Sequence, residues 1–170
     1  LEGAGRGRHG RMTIAALCRT IPTMPLASTD HQPAARAEAW FAREPGAGFV
    51  REALRLTAPE LTRVYGHAGL YLRPCAEAPA ALSGNMLHSL LRLHRAHGRL
   101  DGDLRCADDG LPLVPSSLAL VYALHLLESS PEPEGLVREV ARLLRPEGVA
   151  MFLVLNPFGL ARLRWATRGP

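Results

Sequence analysis

Three histidines, His88, His94 and His97, fall within ten residues of one another and are the first candidates for metal ligation, since imidazole is a common nitrogen ligand. No matching carboxylate or cysteine cluster follows them, so surface or half-buried histidines are the simpler reading. Cys75 could serve as a nucleophile if a histidine came close in space; a free thiol packed as a small hydrophobe is the alternative. Cys18, Cys75 and Cys106 form an odd set without CxxC spacing, which argues against a disulfide framework or a zinc site and favours a reducing compartment. Asp108-Asp109-Gly110 has the composition of a turn. Glu132 and Glu134, beside Pro131 and Pro133, read as a helix start rather than an acid/base pair. His125 closes an apolar run and is either a packed strand-end residue or a substrate contact. Arg162, Arg164 and Arg168 read as a solvated face, with an anionic partner as the alternative.

The elements that position these groups follow from composition and periodicity. The chain has 170 residues, 47% hydrophobic and 21% charged, with 14 Pro and 16 Gly, which fits one globular domain. All 20 basic residues are Arg, a bias of composition rather than a sign of function. The formal charge of +4 sits in the two ends, leaving the middle acidic, so no basic footprint for nucleic acid is spread over a folded face. No apolar run approaches the ~20 residues of a membrane helix, and the opening lacks the apolar core of a signal peptide. These features predict a cytoplasmic protein.

Residues 1–33, rich in Gly, Arg and Pro, are expected to be an unstructured leader or sequence ahead of the true start. A domain over 34–170 follows, with a helical lead-in over 34–65, a sheet core over 66–157 and a C-terminal helix over 158–168. Helix formers from Ala34 predict a short helix ending before Pro45-Gly46, anchored by Trp40. A second helix runs from Phe49 to Leu56, and Pro59 predicts a renewed helix capped by Thr57 or Ala58. Ala68–Leu72 reads as a strand, Leu87–His94 as helix or strand, and Leu100–Cys106 as a further strand. Leu118–Leu124 and Val149–Leu155 are buried strands flanking an amphipathic helix over Pro133–Leu144, a βαβ crossover of a parallel sheet. In Arg145-Pro146-Glu147-Gly148, Pro146 is expected to stop the helix and Gly148 to reverse the chain.

From Asp108 to Leu163 the sequence resembles the class I S-adenosylmethionine-dependent methyltransferases, in particular their type 11 domain. Asp108-Asp109-Gly110-Leu111-Pro112-Leu113 is similar to the acidic loop and Leu-Pro-Phe element after the third strand. Ser116–Val121 is similar to the fourth strand, and His125-Leu126-Leu127-Glu128 to the His-x-Leu-Glu after it. Val137–Gly148 is similar to Leu-Arg-Glu-x-x-Arg-Val-Leu-Arg-Pro-Gly-Gly, and Leu155–Leu160 to the Phe-Asn-Pro-x-Ser-Leu of a bacterial subgroup. The resemblance implies an α/β fold with a doubly wound, mostly parallel, Rossmann-like sheet, short of its last strands and preceded by N-terminal helices. It also implies S-adenosylmethionine as cofactor and an unknown methyl acceptor. Asp108 or Asp109 would then accept a hydrogen bond from the adenine amino group, Leu111 would pack on the ring, and His125 would lie near the methionine end or the substrate.

The first strand of that family ends in a glycine-rich loop, where the cofactor presses on bare backbone. Aligned on Leu70-Tyr71-Leu72, the first loop glycine becomes Arg73, Pro74 follows, and the second glycine becomes Cys75. Leu72, Arg73 and Cys75 are therefore the cofactor-loop residues implied for this chain, with a side chain where the family has none. Two functions follow: methyl transfer through a remodelled loop, or a catalytically silent methyltransferase-like module that binds or scaffolds. An incomplete sheet would leave an edge strand open to a second copy, so a homodimer is an expected partner.

Overall fold

A computed structural model describes residues 11–15 and 32–155. Six strands form one sheet: β1 Arg11–Ala15, β2 Tyr65–Arg73, β3 Met86–Ala96, β4 Arg99–Gly102, β5 Leu118–Leu124 and β6 Leu144–Leu153. Among the described residues three α-helices accompany them: α1 Gln32–Phe41, α2 Gly46–Leu61 and α3 Pro133–Leu143. The strand order is β1-β6-β5-β2-β3-β4, all neighbours parallel except the antiparallel β3–β4 pair. The chain winds outward from β2 through β3 to β4 and, on the other side, from β5 to β6, the doubly wound Rossmann-like arrangement. The topological switch therefore lies between β2 and β5. In such sheets the crevice for ligands opens there, beyond the carboxyl ends of the strands.

The sheet separates two apolar layers. On one face α2 supplies Val50, Ala53 and Leu61 against Tyr71, Leu120, Tyr122 and Met151. On the other α3 supplies Leu136, Val140 and Leu143 against Leu70, Leu72, Val121 and Phe152. Every residue of β5 is buried, as a strand covered on both faces requires, and its continuous run Leu-Ala-Leu-Val-Tyr-Ala-Leu is the sequence counterpart. α3 begins with Pro133 in its first turn and Glu134 beside it, and its inward residues recur at helical spacing, as expected.

Several sequence expectations are corrected. α2 is one helix through Pro59 rather than two: Pro59 falls near its end, where one lost hydrogen bond is tolerated. Thr57 caps nothing. Its hydroxyl donates to Ala53 O at 2.8 Å and lies 2.7 Å from Tyr122 Oη. Residues 86–96 resolve as a strand, since β2 offers a parallel partner along its length. The third strand is shorter than Leu100–Cys106; Cys106 instead returns to bridge Leu100. Arg11–Ala15, inside the segment read as unstructured, forms β1 and covers the edge of β6. The expected helix over 158–168 lies outside the described residues.

The turn after α3 also differs. Leu144 pairs with Leu118, and the pairing then jumps to Val149 with Leu120, so residues 145–148 bulge from the ladder. The left-handed residue there is Glu147, at φ 65°, not Gly148. Gly148 is needed for a different reason: a Cβ on it would sit 2.9 Å from Arg145 O and 3.0 Å from Leu118 O.

Candidate functional site

The carboxyl ends of β2, β3 and β5 converge beneath α1. Phe41, the last residue of α1, lies over His125 just past β5, with ring centroids 5.1 Å apart and planes at 12°. Glu38, one turn earlier, accepts hydrogen bonds from His97 N at 3.3 Å and Gly98 N at 3.5 Å in the turn between β3 and β4. His97 and Gly98 have φ of 50° and 75°, the left-handed pair of a tight hairpin. α1 is thereby pinned across the strand ends.

Arg73 ends β2 and does not project into the crevice. Its side chain curls onto the following loop, where Nη1 donates to Ala78 O at 2.6 Å and Ala76 O at 3.1 Å. The residue is 8% exposed, and its Nε has no partner among the described residues. Cys75, in the same loop, is buried, and that burial pushes its thiol pKa above the ordinary cysteine value. It is a packed thiol, not an activated one. Leu72 is fully buried on the α3 face.

Asp108 is buried and committed. Its carboxylate accepts Arg95 Nη1 at 2.5 Å and Nη2 at 2.7 Å, a bidentate pair with both side chains almost wholly removed from water. Ser130 Oγ donates a further short hydrogen bond to Oδ2. This network ties the end of β3 to the loop after β4 and to the segment after β5. Asp109 is exposed beside the first turn of α3, where its Cβ would lie 3.2 Å from a Cβ placed on Gly135.

Leu111 is packed in the core layer under α3. Its N–H donates to Glu139 Oε2 at 3.2 Å, and its carbonyl accepts from Arg142 Nη2 at 2.9 Å. Arg142 Nη1 also holds Leu113 O at 3.0 Å, while Nη2 and Nε grip Glu139. Hydrogen bonding to Arg142 keeps the Glu139 carboxyl below its ordinary pKa despite some burial. The Glu-x-x-Arg spacing within α3 is thus a clamp on the Leu111–Leu113 backbone, at the i,i+3 positions of one helix face.

His125 is buried with φ 49°, a left-handed conformation uncommon for a residue with a side chain. Its Nδ1 lies 3.4 Å from Glu128 Oε1, which also accepts a hydrogen bond from Leu155 N at 2.5 Å, while Glu128 Oε2 is buried with no partner among the described residues. His125 and Glu128 therefore sit together over the end of β5. His88 faces His67 across β2 and β3, His94 is half-buried beside Arg73, and His97 is in the hairpin turn. Among the described residues no group of three metal-ligating side chains converges.

Sequence reasoning missed Arg95, Phe41 and Glu38. An arginine inside the apolar strand Leu93-His94-Arg95-Ala96 is the one signal that could have exposed the first. Nothing local marks the other two, because their contacts join distant parts of the chain.

A protein family described as "Methyltransferase domain" matches residues 68–152. Two curated proteins are similar over part of the chain, each a malonyl-(acyl-carrier protein) O-methyltransferase. That of Methylovorus sp. (strain MP688) is 39% identical over 64 residues, 37% of this chain and 22% of that protein. That of Laribacter hongkongensis (strain HLHK9) is 38% identical over 79 residues, 46% of this chain and 26% of that protein. The chain spans about a quarter of the length of these relatives.

S-adenosylmethionine, which that family generally uses, can be tested against the residues present. The cradle that receives it is bare glycine backbone, and here Arg73, Pro74 and Cys75 occupy those positions with a guanidinium folded across the loop. Of the two acceptors expected for adenine, Asp108 is engaged by Arg95 and Ser130, while Asp109 is exposed beside α3. At Arg73, Pro74 and Cys75 the loop therefore does not fit the cofactor as the family holds it, on bare glycine backbone.

Proposed function

From a chain that belongs to the methyltransferase domain family, yet carries side chains in the loop after β2 that the family leaves bare, we propose a methyltransferase-fold module that binds or scaffolds without carrying out methyl transfer. The observation behind this reading is the Arg73 side chain, folded over the loop that family members keep free of side chains. The Arg95–Asp108 pair reinforces it, because leaving Arg95 unpaired to free the carboxylate would strand a buried charge. A second copy of the chain, pairing along an outer strand of the sheet, is the partner this module is expected to take.

The second reading is S-adenosylmethionine-dependent methyl transfer to an unassigned acceptor. Family membership supports it, as do the names of both relatives. It requires the 73–78 loop to open. Among the described residues no helix is long and apolar enough to cross a membrane, and neither reading needs one.

Calorimetric titration with S-adenosylmethionine and S-adenosylhomocysteine, on protein shown folded by circular dichroism, separates the two. The module reading expects no saturable heat from wild type, and binding only after Arg73→Gly with Cys75→Gly reopens the loop. Micromolar binding to wild type would overturn it in favour of methyl transfer.

A further inference from the structure

Two exposed imidazoles face one another on the surface of the sheet. His67 on β2 and His88 on β3 have ring centroids 5.1 Å apart and planes at 52°. The backbone sets this pairing: Gly66 is the register partner of Leu87 and Ala68 of Ser89, which puts His67 opposite His88 on parallel strands. Ser89 Oγ donates to His67 O at 3.1 Å and ties the two strands together at that level. Neighbouring strands stand about 4.8 Å apart, so the sheet itself holds the two side chains near enough to converge on one ion. In sequence His88 groups with His94 and His97; the fold sets it against His67 instead.

The ring separation selects the ion. Zinc bonds an imidazole nitrogen at about 2.0–2.1 Å, which places the ring centre roughly 3.2 Å from the metal. Two rings at the tetrahedral angle then stand about 5.2 Å apart, whereas the right angle of a square-planar copper(II) or nickel(II) site brings them to about 4.5 Å. The observed 5.1 Å is the tetrahedral spacing. Along the same face the histidines are flanked by the register pairs Tyr65–Met86 and Gly69–Leu90, none of them charged. The one histidine ion pair among the described residues belongs to His125, so no carboxylate there competes for either ring. Both rings are exposed, and water is what a metal would displace from them.

We propose that His67 and His88 form a two-histidine zinc site on the surface of β2 and β3. One neutral ring nitrogen of each residue donates to the ion, and water fills the two remaining positions. With no third metal-ligating side chain at hand among the described residues, the zinc is exchangeable rather than locked in. His67 lies six positions before Arg73 on β2, roughly 20 Å at strand rise, toward the amino ends of the strands. The site is therefore remote from the crevice and does not depend on whether the module transfers methyl groups.

The test titrates the full chain, free of any polyhistidine tag and freed of metal by chelator, with zinc chloride in a calorimeter. Saturable binding of one zinc per chain in the micromolar range is expected. His67→Gln and His88→Gln should each weaken it by about tenfold or more, since losing a ligand costs at least as much as losing a partner of a ligand. Both positions are exposed, so the two variants should melt with wild type when no metal is present, which separates a lost ligand from a lost fold. His97→Gln, exposed in the hairpin turn, is the control and should bind as wild type does. Absence of saturable binding by folded wild type overturns the site. So does unchanged affinity in either His67→Gln or His88→Gln, because the ion would then be held elsewhere.

Discussion

Asp108→Ala is the substitution on which a cofactor role and a structural role diverge most. If the carboxylate existed to hold a nucleobase, removing it would weaken ligand binding and leave folding intact. The structure gives it another duty: Arg95, fully buried, has its two terminal nitrogens on Asp108, and its only other described partner is Gly98 O at 3.4 Å. Deleting one partner of such a pair leaves an uncompensated buried charge and costs about 3–5 kcal/mol. For a domain of this size that corresponds to a fall of roughly 6–20 °C in melting temperature. Replacing both partners with apolar residues of similar volume, Arg95→Met with Asp108→Leu, should recover most of the loss, since a buried ion pair is often no better than good packing. Asp109→Ala, at an exposed position, serves as the control and should melt with wild type. Urea denaturation of the four proteins reads the energies directly. A loss below about 1 kcal/mol for Asp108→Ala would refute the reasoning, because no buried pair of this geometry is so cheaply broken.

The two core tyrosines should respond in opposite directions to loss of their hydroxyls. Tyr122→Phe forfeits the hydrogen bond with Thr57 and should cost about 1 kcal/mol, whereas Tyr71→Phe removes an unpartnered buried hydroxyl and should leave ligand-free protein equal or more stable; paired denaturation curves decide it. Burial raises the pKa of both, that of Tyr122 to about 12, above the value near 10 of an unfolded tyrosine. The contribution is therefore complete below pH 10 and is lost as pH rises toward and beyond 12, so alkaline titration followed at the phenolate absorbance should show their ionisation coinciding with unfolding. Glu147→Gly relieves a left-handed residue and should stabilise the protein by a few tenths to about 1 kcal/mol, measured as an upward shift of the denaturation midpoint.

Buried runs and helical spacing were enough to place β5 and α3 from the sequence, because a strand covered on both faces and a helix with one inward stripe leave their period in the residue types. The chain of motifs from Asp108 to Gly148 likewise indicated the fold family. The glycine-less loop at Arg73, Pro74 and Cys75 could be read directly, since a side chain at those positions is visible in any alignment. The segment 87–94 stayed ambiguous because a short apolar run fits either period, and only the parallel partner in β2 made it a strand. What Arg73 does with its guanidinium, and that Asp108 faces Arg95, depend on contacts between residues that are distant in sequence or set by the path of the loop. The same holds for α1 across the strand ends, where Phe41 meets His125 and Glu38 meets the 97–98 turn. The sequence by itself determined the βαβ crossover of β5, α3 and β6, through local propensity and burial pattern, and its resemblance to the family implied the doubly wound sheet. Only the tertiary structure decided that Arg73 folds back on its own loop, that Asp108 pairs with Arg95 and that Phe41 stacks on His125, since charge pairing and ring stacking are properties of juxtaposition, which no single stretch of chain encodes.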